Sequence, residues 1–326
     1  MNGERDGRVE LTVLGGFLGS GKTTWLRHTL HSGAIDDVLV IVNEAAEVPV
    51  DDALFPSGGR LRVLAGGCAC CDARDRLVAM LRETCDLRTR SDQQTPPPER
   101  IVLETSGLAD PGPILDAIRT DPVLIHHLKV DEIIIAIDAI YGLDQIQHEP
   151  LTLRQIETAD RLVVTKVDAS NADDLARLLA TLLQLNPGAF ISGAIMGSEA
   201  PLPKFSEAEP VPVGPPGSQP EQITATRLDL DEDTDWPAFS VWLSALLHAR
   251  GNDIMRVKGV VHTPAGRLLL QSVRKTVQQP EIIPKEGAKD TKDDNSVVVI
   301  GRGYRAEDLR KSLQHFTGAG VDRRAG

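Results

Sequence analysis

The sequence predicts an α/β fold: a doubly wound parallel sheet over residues 1–197, then a proline-rich linker over 198–220, then a small α+β domain over 221–318. Three observations carry that expectation. In the first half, short apolar, β-branched runs alternate with segments of helical period, the pattern of a parallel sheet with helices on its faces. The first run, Val9–Leu14, leads straight into Gly15-Gly16-Phe17-Leu18-Gly19-Ser20-Gly21-Lys22-Thr23-Thr24, which contains Gly-x-x-x-x-Gly-Lys-Thr between Gly16 and Thr23. In the second half the strands come in runs flanked by helices, without the alternation.

Taken in order, Val9–Leu14 reads as a strand and Thr24–Leu30 as the first turns of a helix, the context a phosphate loop needs. Val38–Val42 is a second strand, running into the acidic loop Asn43–Asp51. Arg60–Leu64 is a short strand, followed by the tight turn Gly66–Cys71, with Asp72 as a cap for a helix over Ala73–Leu87. Ser91–Pro98 is polar and proline-rich, so it reads as a loop. Arg100–Leu103 is a strand ending at Glu104-Thr105-Ser106-Gly107, and Pro111 suits the first turn of the next helix. Glu132–Asp138 and Leu162–Thr165 are strands of the kind buried on both faces. Ala172–Leu185 places apolar residues at 175, 178, 179, 182 and 183, a helical spacing, and Phe190–Ile195 is the last strand of this half. Gly197–Pro220 holds seven prolines and reads as an extended linker. Beyond it, Gln222–Leu230, Met255–His262, Arg267–Val273 and Ser296–Ile300 read as strands. Trp236–Ala249, capped by Asp235 with Pro237 in its first turn, and Ala306–Phe316 read as helices. Lys285–Asn295 reads as a charged insertion and 319–326 as a loose tail. Arg256 and Lys258 are either a contact surface or an ordinary solvated strand face.

Composition narrows the function. With 326 residues and 41% apolar content the chain can build sizeable cores, although only 3% is aromatic, so aliphatic side chains do the packing. A net charge of −12 disfavours non-specific nucleic-acid binding and anionic membrane surfaces. Apolar runs such as Ile133–Ile137 are far too short to span a bilayer, and Met1–Arg8 is polar and charged, so the expectation is a cytoplasmic protein with neither a nucleic-acid nor a membrane partner.

The motifs converge on one edge. In a doubly wound sheet the ligand lies outside the carboxyl ends of the strands, and the phosphate loop, Asn43, Glu104 and Lys166 all fall at such ends. Gly16, Gly19, Ser20 and Gly21 would curl backbone amides around phosphates at a helix start, Lys22 would reach the β/γ oxygens, and Thr23, followed by Thr24, would ligate Mg²⁺. Glu104 is placed to act on Mg²⁺ directly or through water, with Glu47 of the acidic loop as a further candidate for the Mg²⁺ and catalytic group. Thr165-Lys166-Val167-Asp168 is close to the Asn-Lys-x-Asp guanine signature. An aspartate there accepts from guanine N1–H and the 2-amino group, donors that adenine lacks, while Thr165 stands where Asn is usual.

Cys68-Ala69-Cys70-Cys71 puts three thiols within four positions. Thiolates suit Zn²⁺, Cu(I) and other soft or borderline metals, and three of them leave one tetrahedral position for an outside ligand. Glu44, Glu47 or a histidine could supply the fourth ligand. The competing readings are a redox pair or buried small side chains. Cys85 reads as core, and His126-His127 as an ordinary helix end rather than ligands.

In order and content, Gly16–Thr24, Asn43–Asp51, Gly67–Cys71, Glu104–Pro111, Ile137-Asp138-Ala139 and Thr165–Asp168 resemble the CobW-type GTPases, metallochaperones related to the nickel-insertion GTPases of hydrogenase and urease. Arg256–Val261 and Val297–Gly301 resemble the CobW C-terminal domain. The resemblance implies a P-loop NTPase sheet and a cytoplasmic GTPase using GTP and Mg²⁺, with Zn²⁺ as the foremost metal and Co²⁺ as the alternative. It implies hydrolysis coupled to transfer of that metal from Cys68, Cys70 and Cys71 to a metalloprotein client. The alternatives are a metal-sensing regulatory GTPase and an activator of the cobalt-insertion or nitrile-hydratase type. A homo-oligomer is left open. Where the family's acidic loop usually reads Asn-Glu-Phe-Gly-Glu-x-Gly-x-Asp, this chain keeps Asn43, Glu44, Glu47 and Asp51 but has Ala45, Ala46 and Pro49, which removes backbone freedom. The His-rich tract of many members is absent, which argues against metal storage.

Overall fold

A computed structural model describes residues 8–33, 38–43, 60–64, 73–89, 98–204, 208–213, 224–231, 234–251, 253–273, 275–277, 280–283 and 295–317. The chain divides into two compact units, Met1–Pro220 and Glu221–Gly326.

In the first unit the elements run β1 (Val9–Gly15), α1 (Lys22–His31), β2 (Val38–Asn43), β3 (Arg60–Leu64), α2 (Arg74–Thr89), β4 (Arg100–Glu104), α3 (Pro111–Thr120), α4 (Leu124–His127) and β5 (Leu128–Asp138). They continue through α5 (Gly142–His148), α6 (Pro150–Thr158), β6 (Arg161–Thr165), a 3₁₀ turn (Val167–Ala169), α7 (Ala172–Leu185), β7 (Phe190–Ile195) and β8 (Ser198–Ala200). The sheet order is β3-β2-β4-β1-β5-β6-β7-β8, parallel except where β8 returns against β7. β1 lies where the chain's two directions of travel part, β4 on one side and β5 on the other. That is the switch point at which such sheets bind ligands. All six residues of β2 are buried, as are Ile133–Asp138 of β5, so Val38–Val42 and Ile133–Ile137 read as unbroken apolar runs. Leu14, Val40, Val102, Ile134 and Val163 from adjacent strands pack with Leu26 and Leu30 of α1 into one core.

Several boundaries differ from the sequence expectation for physical reasons. β5 starts at Leu128: Lys129, Asp131 and Glu132 interrupt the apolar signal, while the ladder to β1 continues through a one-residue register shift at Asp131. α5 and α6 lay unread between two strands. The start of the expected linker is structured: Ile195 pairs with Ser198 across Met196-Gly197, both at positive φ (50° and 93°). That is the backbone of a tight two-residue hairpin. Further on, Val211 is buried and its N–H donates to Thr181 Oγ1 at 3.0 Å.

In the second unit β9 (Thr224–Asp229), α8 (Trp236–Arg250), β10 (Ile254–Thr263), β11 (Gly266–Val273), β12 (Thr276–Val277), β13 (Glu281–Ile283), β14 (Ser296–Gly301) and α9 (Ala306–Thr317) form an antiparallel sheet of order β12-β11-β10-β14-β9, with β13 also pairing to β11. Asp235 caps α8 by accepting from the Ala238 N–H. Trp236, Phe239 and Trp242 follow at helical spacing, Trp236 and Phe239 stacked at 5.9 Å, and the Trp242 indole donates to Ser312 of α9. Three of the chain's eleven Phe, Trp and Tyr residues thus fall on this one helix. Asn295, read as the end of a charged insertion, is instead a clamp. Its Oδ1 accepts from the His262 N–H, and its Nδ2 donates to the carbonyls of Leu230 and Asp231. Arg256 is 3% exposed, which overturns the solvated reading for that residue, whereas Lys258 is exposed. Among the described residues no helix is long and apolar enough to cross a membrane.

α2 is fastened to the α3–α4 corner by one carboxylate. Asp121 accepts from Arg82 Nε at 2.8 Å and from the N–H groups of Val123 and Leu124 at 3.0 Å each. Burial pushes its pKa up, but the Arg82 hydrogen bond, the two backbone donors and the Arg82 charge outweigh that and hold it below the usual range. A depressed carboxyl pKa stabilises the fold above the unfolded value, and that contribution is lost as pH falls through the folded value. Asp121→Asn is therefore expected to lower stability by about 1–3 kcal/mol at pH 7. Urea unfolding should show the gap between wild type and variant closing below about pH 4.

Candidate functional site

The sequence between β1 and α1 folds as a loop because three glycines take positive φ: 132° at Gly16, 76° at Gly19 and 81° at Gly21. At Gly16 no other residue fits, since a Cβ there would run into the Ala136 carbonyl of β5. The loop therefore rests backbone to backbone on the neighbouring strand. Gly21 sits at the N-cap of α1, and no side chain caps that end among the described residues, which leaves first-turn amides facing an anion position. The Lys22 ammonium folds over the loop and donates to the carbonyls of Gly16 and Phe17 at 2.9 and 3.1 Å. Ser20 is fully buried, and its hydroxyl has no hydrogen-bond partner among the described residues. Thr24 is exposed on the first turn of α1.

The Thr23 hydroxyl donates to the buried carboxylate of Glu104. The pairing follows from the sheet order: Leu14 lies opposite Glu104, and Val42 opposite Glu104 on the other side. A hydroxyl and a carboxylate held together beside a phosphate loop form a hard oxygen donor set of the kind Mg²⁺ takes.

At the end of β6, Thr165 Oγ1 donates to the Ser20 carbonyl of the phosphate loop at 2.8 Å and lies 3.2 Å from the Ile137 carbonyl. A hydroxyl thus ties the β6 end to the phosphate loop at the position where Asn is the usual residue. Lys166 takes a left-handed backbone, φ 56°, costly for a residue with a Cβ. Its ammonium bridges the Gly19 carbonyl at 2.9 Å and the Asp138 carboxylate at 2.6 Å. Asp138 is 2% exposed, and its other oxygen accepts from the N–H groups of Ile140 and Tyr141. Asp168 stands exposed on the 3₁₀ turn that follows.

Sequence reasoning missed Asp138 as the partner of Lys166. The signal was a lone carboxylate ending an otherwise apolar strand. It also missed α6, whose Arg154 pairs with Asp110 at 2.9 Å and whose Gln155 reaches the turn after Glu104. Cys68, Cys70, Cys71, Glu44 and Glu47 lie outside the described residues. Among those described, no group of three or more His, Cys, Asp or Glu side chains is placed to hold a metal. Cys85 is buried, and His126 and His127 end α4 exposed to solvent, both as expected. The strands that precede these residues in the sequence are adjacent: Asn43, just before the acidic stretch, pairs with Leu64, just before the cysteine stretch. The Asn43 side-chain amide donates to the Leu64 carbonyl at 3.4 Å.

The chain is similar to known proteins over most of its length. Residues 10–192 match the family model described as CobW/HypB/UreG, nucleotide-binding domain, and residues 223–317 match the cobalamin synthesis protein cobW C-terminal domain. The zinc chaperone YjiA of Escherichia coli (strain K12) is 29% identical over 320 residues, spanning 94% of this chain and 98% of that protein. The zinc chaperone CobW of Pseudomonas aeruginosa is 30% identical over 341 residues, spanning 90% of this chain and 88% of that protein. The crystal structure of Zn(II)-bound YjiA GTPase from E. coli superposes with a TM-score of 0.59 at 23% identity, covering 95% of this chain and 99% of that one, a likeness of fold. With more than half its length matched by the nucleotide-binding family model and a full-length relative at 30% identity, the chain belongs to the CobW/HypB/UreG family of P-loop GTPases.

Proposed function

We propose that the chain is a GTP-hydrolysing metallochaperone that takes up zinc at Cys68, Cys70 and Cys71 and passes it to a client metalloprotein. The observation that carries this reading is the order of strand ends along one edge. The phosphate loop follows β1, Glu104 ends β4, the acidic loop leaves β2 and the cysteine turn leaves β3, on neighbouring strands. A change at the terminal phosphate therefore has only two strands to cross before it reaches the root of the cysteine turn. Relatives that carry zinc-chaperone names over nearly their whole length support the same reading.

In this reading the glycine loop and the start of α1 bind the phosphates through backbone amides, and Lys22 exchanges its two carbonyl contacts for phosphate oxygens. Thr23 and Glu104 would hold Mg²⁺, which would supply positive charge to offset that of the β- and γ-phosphates. Ser20 adds a buried hydroxyl that the protein itself leaves unpaired among the described residues. Asp168 accepts from the guanine edge, and the Lys166 stem, steered by Asp138 and the Gly19 carbonyl, packs along the base plane. Glu44 and Glu47, which follow β2 in the sequence, respond to the terminal phosphate in this reading and set the affinity of Cys68, Cys70 and Cys71 for the metal. Order and disorder of such a segment is the usual output of a γ-phosphate contact.

The test is competition for Zn²⁺ against a chromophoric chelator, with a non-hydrolysable GTP analogue and with GDP. Different affinities in the two states are expected, and equal affinities would sink the coupling. Cys70→Ser should lose most Zn²⁺ affinity and still bind GTP. For the base, calorimetry should find GTP bound more tightly than ATP, and tighter ATP binding would overturn the guanine assignment. Thr165→Val removes the hydroxyl that ties β6 to the phosphate loop, so GTP and GDP should both weaken by roughly five- to tenfold, about 1 kcal/mol.

A further inference from the structure

The turn that follows Glu104 is held from two sides. Ser106–Ala109 is a β-turn closed by the Ala109 N–H on the Ser106 carbonyl at 2.9 Å. Its central peptide is pinned at both ends: the Leu108 N–H lies 3.4 Å from Ser106 Oγ, and the Gly107 carbonyl lies 3.5 Å from Nε2 of Gln155 in α6. The same Gln155 amide donates to the Ala109 carbonyl at 2.8 Å. On its other side the turn meets the phosphate loop. A Cβ on Gly107 would stand 2.7 Å from the Leu18 amide nitrogen and 2.9 Å from its Cα. The turn is thus clamped between the loop that would bind phosphates and α6.

Gln155 is fully buried, and its Oε1 has no hydrogen-bond partner among the described residues; neither has Oγ1 of Thr152, one turn earlier on α6. A buried amide with an unpaired acceptor is a worse packing element than an apolar side chain of the same length. The unpaired oxygen is thus a cost set against the two hydrogen bonds that the amide nitrogen donates. What an apolar side chain cannot do is hold two carbonyls of one turn and so fix the orientation of its peptide planes. That turn begins two residues after Glu104, which bonds Thr23, so it borders the end of the site where Mg²⁺ and the terminal phosphate meet.

Resting on the reading of the site as one for GTP, we propose that Gln155 is a positioning residue for the terminal phosphate. Its amide sets the 106–109 turn against the phosphate loop in the arrangement a triphosphate requires and a diphosphate does not. It touches no reacting atom and acts through the Gly107 and Ala109 carbonyls. Arg154, paired with Asp110 at the start of α3, anchors the other end of the same segment.

The experiment compares wild type, Gln155→Met and Thr152→Val for binding of a non-hydrolysable GTP analogue and of GDP, each with Mg²⁺, and for steady-state hydrolysis. Gln155→Met keeps length and packing and removes only the amide. It is expected to weaken the analogue and lower kcat by about tenfold while GDP affinity changes less than about twofold. Thr152→Val, which alters the same buried face without touching the turn, should match wild type. Equal loss for analogue and GDP, the signature of a merely structural role, overturns the proposal, as does no loss for either. A wild-type chain that binds neither nucleotide overturns the GTP reading and this inference together, whereas normal wild-type binding with an unselective variant overturns the inference alone. Should Gln155→Met not fold, Gln155→Asn, which keeps an amide too short to span both carbonyls, carries the same expectation at smaller amplitude.

Discussion

A phosphate loop is almost all backbone, and something outside it must hold its shape. Here that support is the bare contact of Gly16 with the Ala136 carbonyl of β5, possible only without a Cβ. Once the loop lies on β5, the ends of β5 and β6 come within reach. Thr165 takes the Ser20 carbonyl, and Lys166 takes the Gly19 carbonyl together with Asp138. On the opposite side the turn after β4 packs on Leu18. The strained backbone of Lys166 is held by two contacts of its side chain, the Gly19 carbonyl and the Asp138 carboxylate.

The fold was legible where burial is purely apolar. β2 and the end of β5 are covered on both faces, so Val38–Val42 and Ile133–Ile137 are unbroken apolar runs, and α7 shows its period because five of its six buried residues are leucine. α6 was illegible for the opposite reason. Its buried residues include Thr152, Gln155, Glu157 and Thr158, and a helix that buries polar groups displays no apolar stripe. Asn295 and Val211 were misjudged because their segments are polar or proline-rich in composition, while single side chains or amides fasten them by hydrogen bonds. Composition averages over a window and cannot register one bond.

The site was legible to the extent that it is backbone geometry with a fixed spacing. Gly16, Lys22, Thr23 and Glu104 stand together as the spacing required, because the phosphate loop and the β4 end are neighbours in any sheet of this order. Pairings between distant side chains were not legible. Nothing in the sequence says that Asp138 meets Lys166 or that Gln155 meets Ala109, since contacts of that kind exist only after β5, β6 and α6 have been packed. The substitution at Thr165 shows the same division: a departure in sequence is matched in space by a hydroxyl that reaches the phosphate loop.

The scarcity of aromatic residues has an optical consequence. Of three tryptophans, Trp236 and Trp242 sit on α8 in the second unit, beside Phe239, while Trp25 lies in α1, one turn from Lys22. Intrinsic fluorescence from this protein is therefore divided between one emitter on the helix that carries the phosphate loop's lysine and a pair packed at a separate core. Replacing that pair with phenylalanine would leave Trp25, on the helix that follows the phosphate loop, as the single tryptophan emitter of the chain.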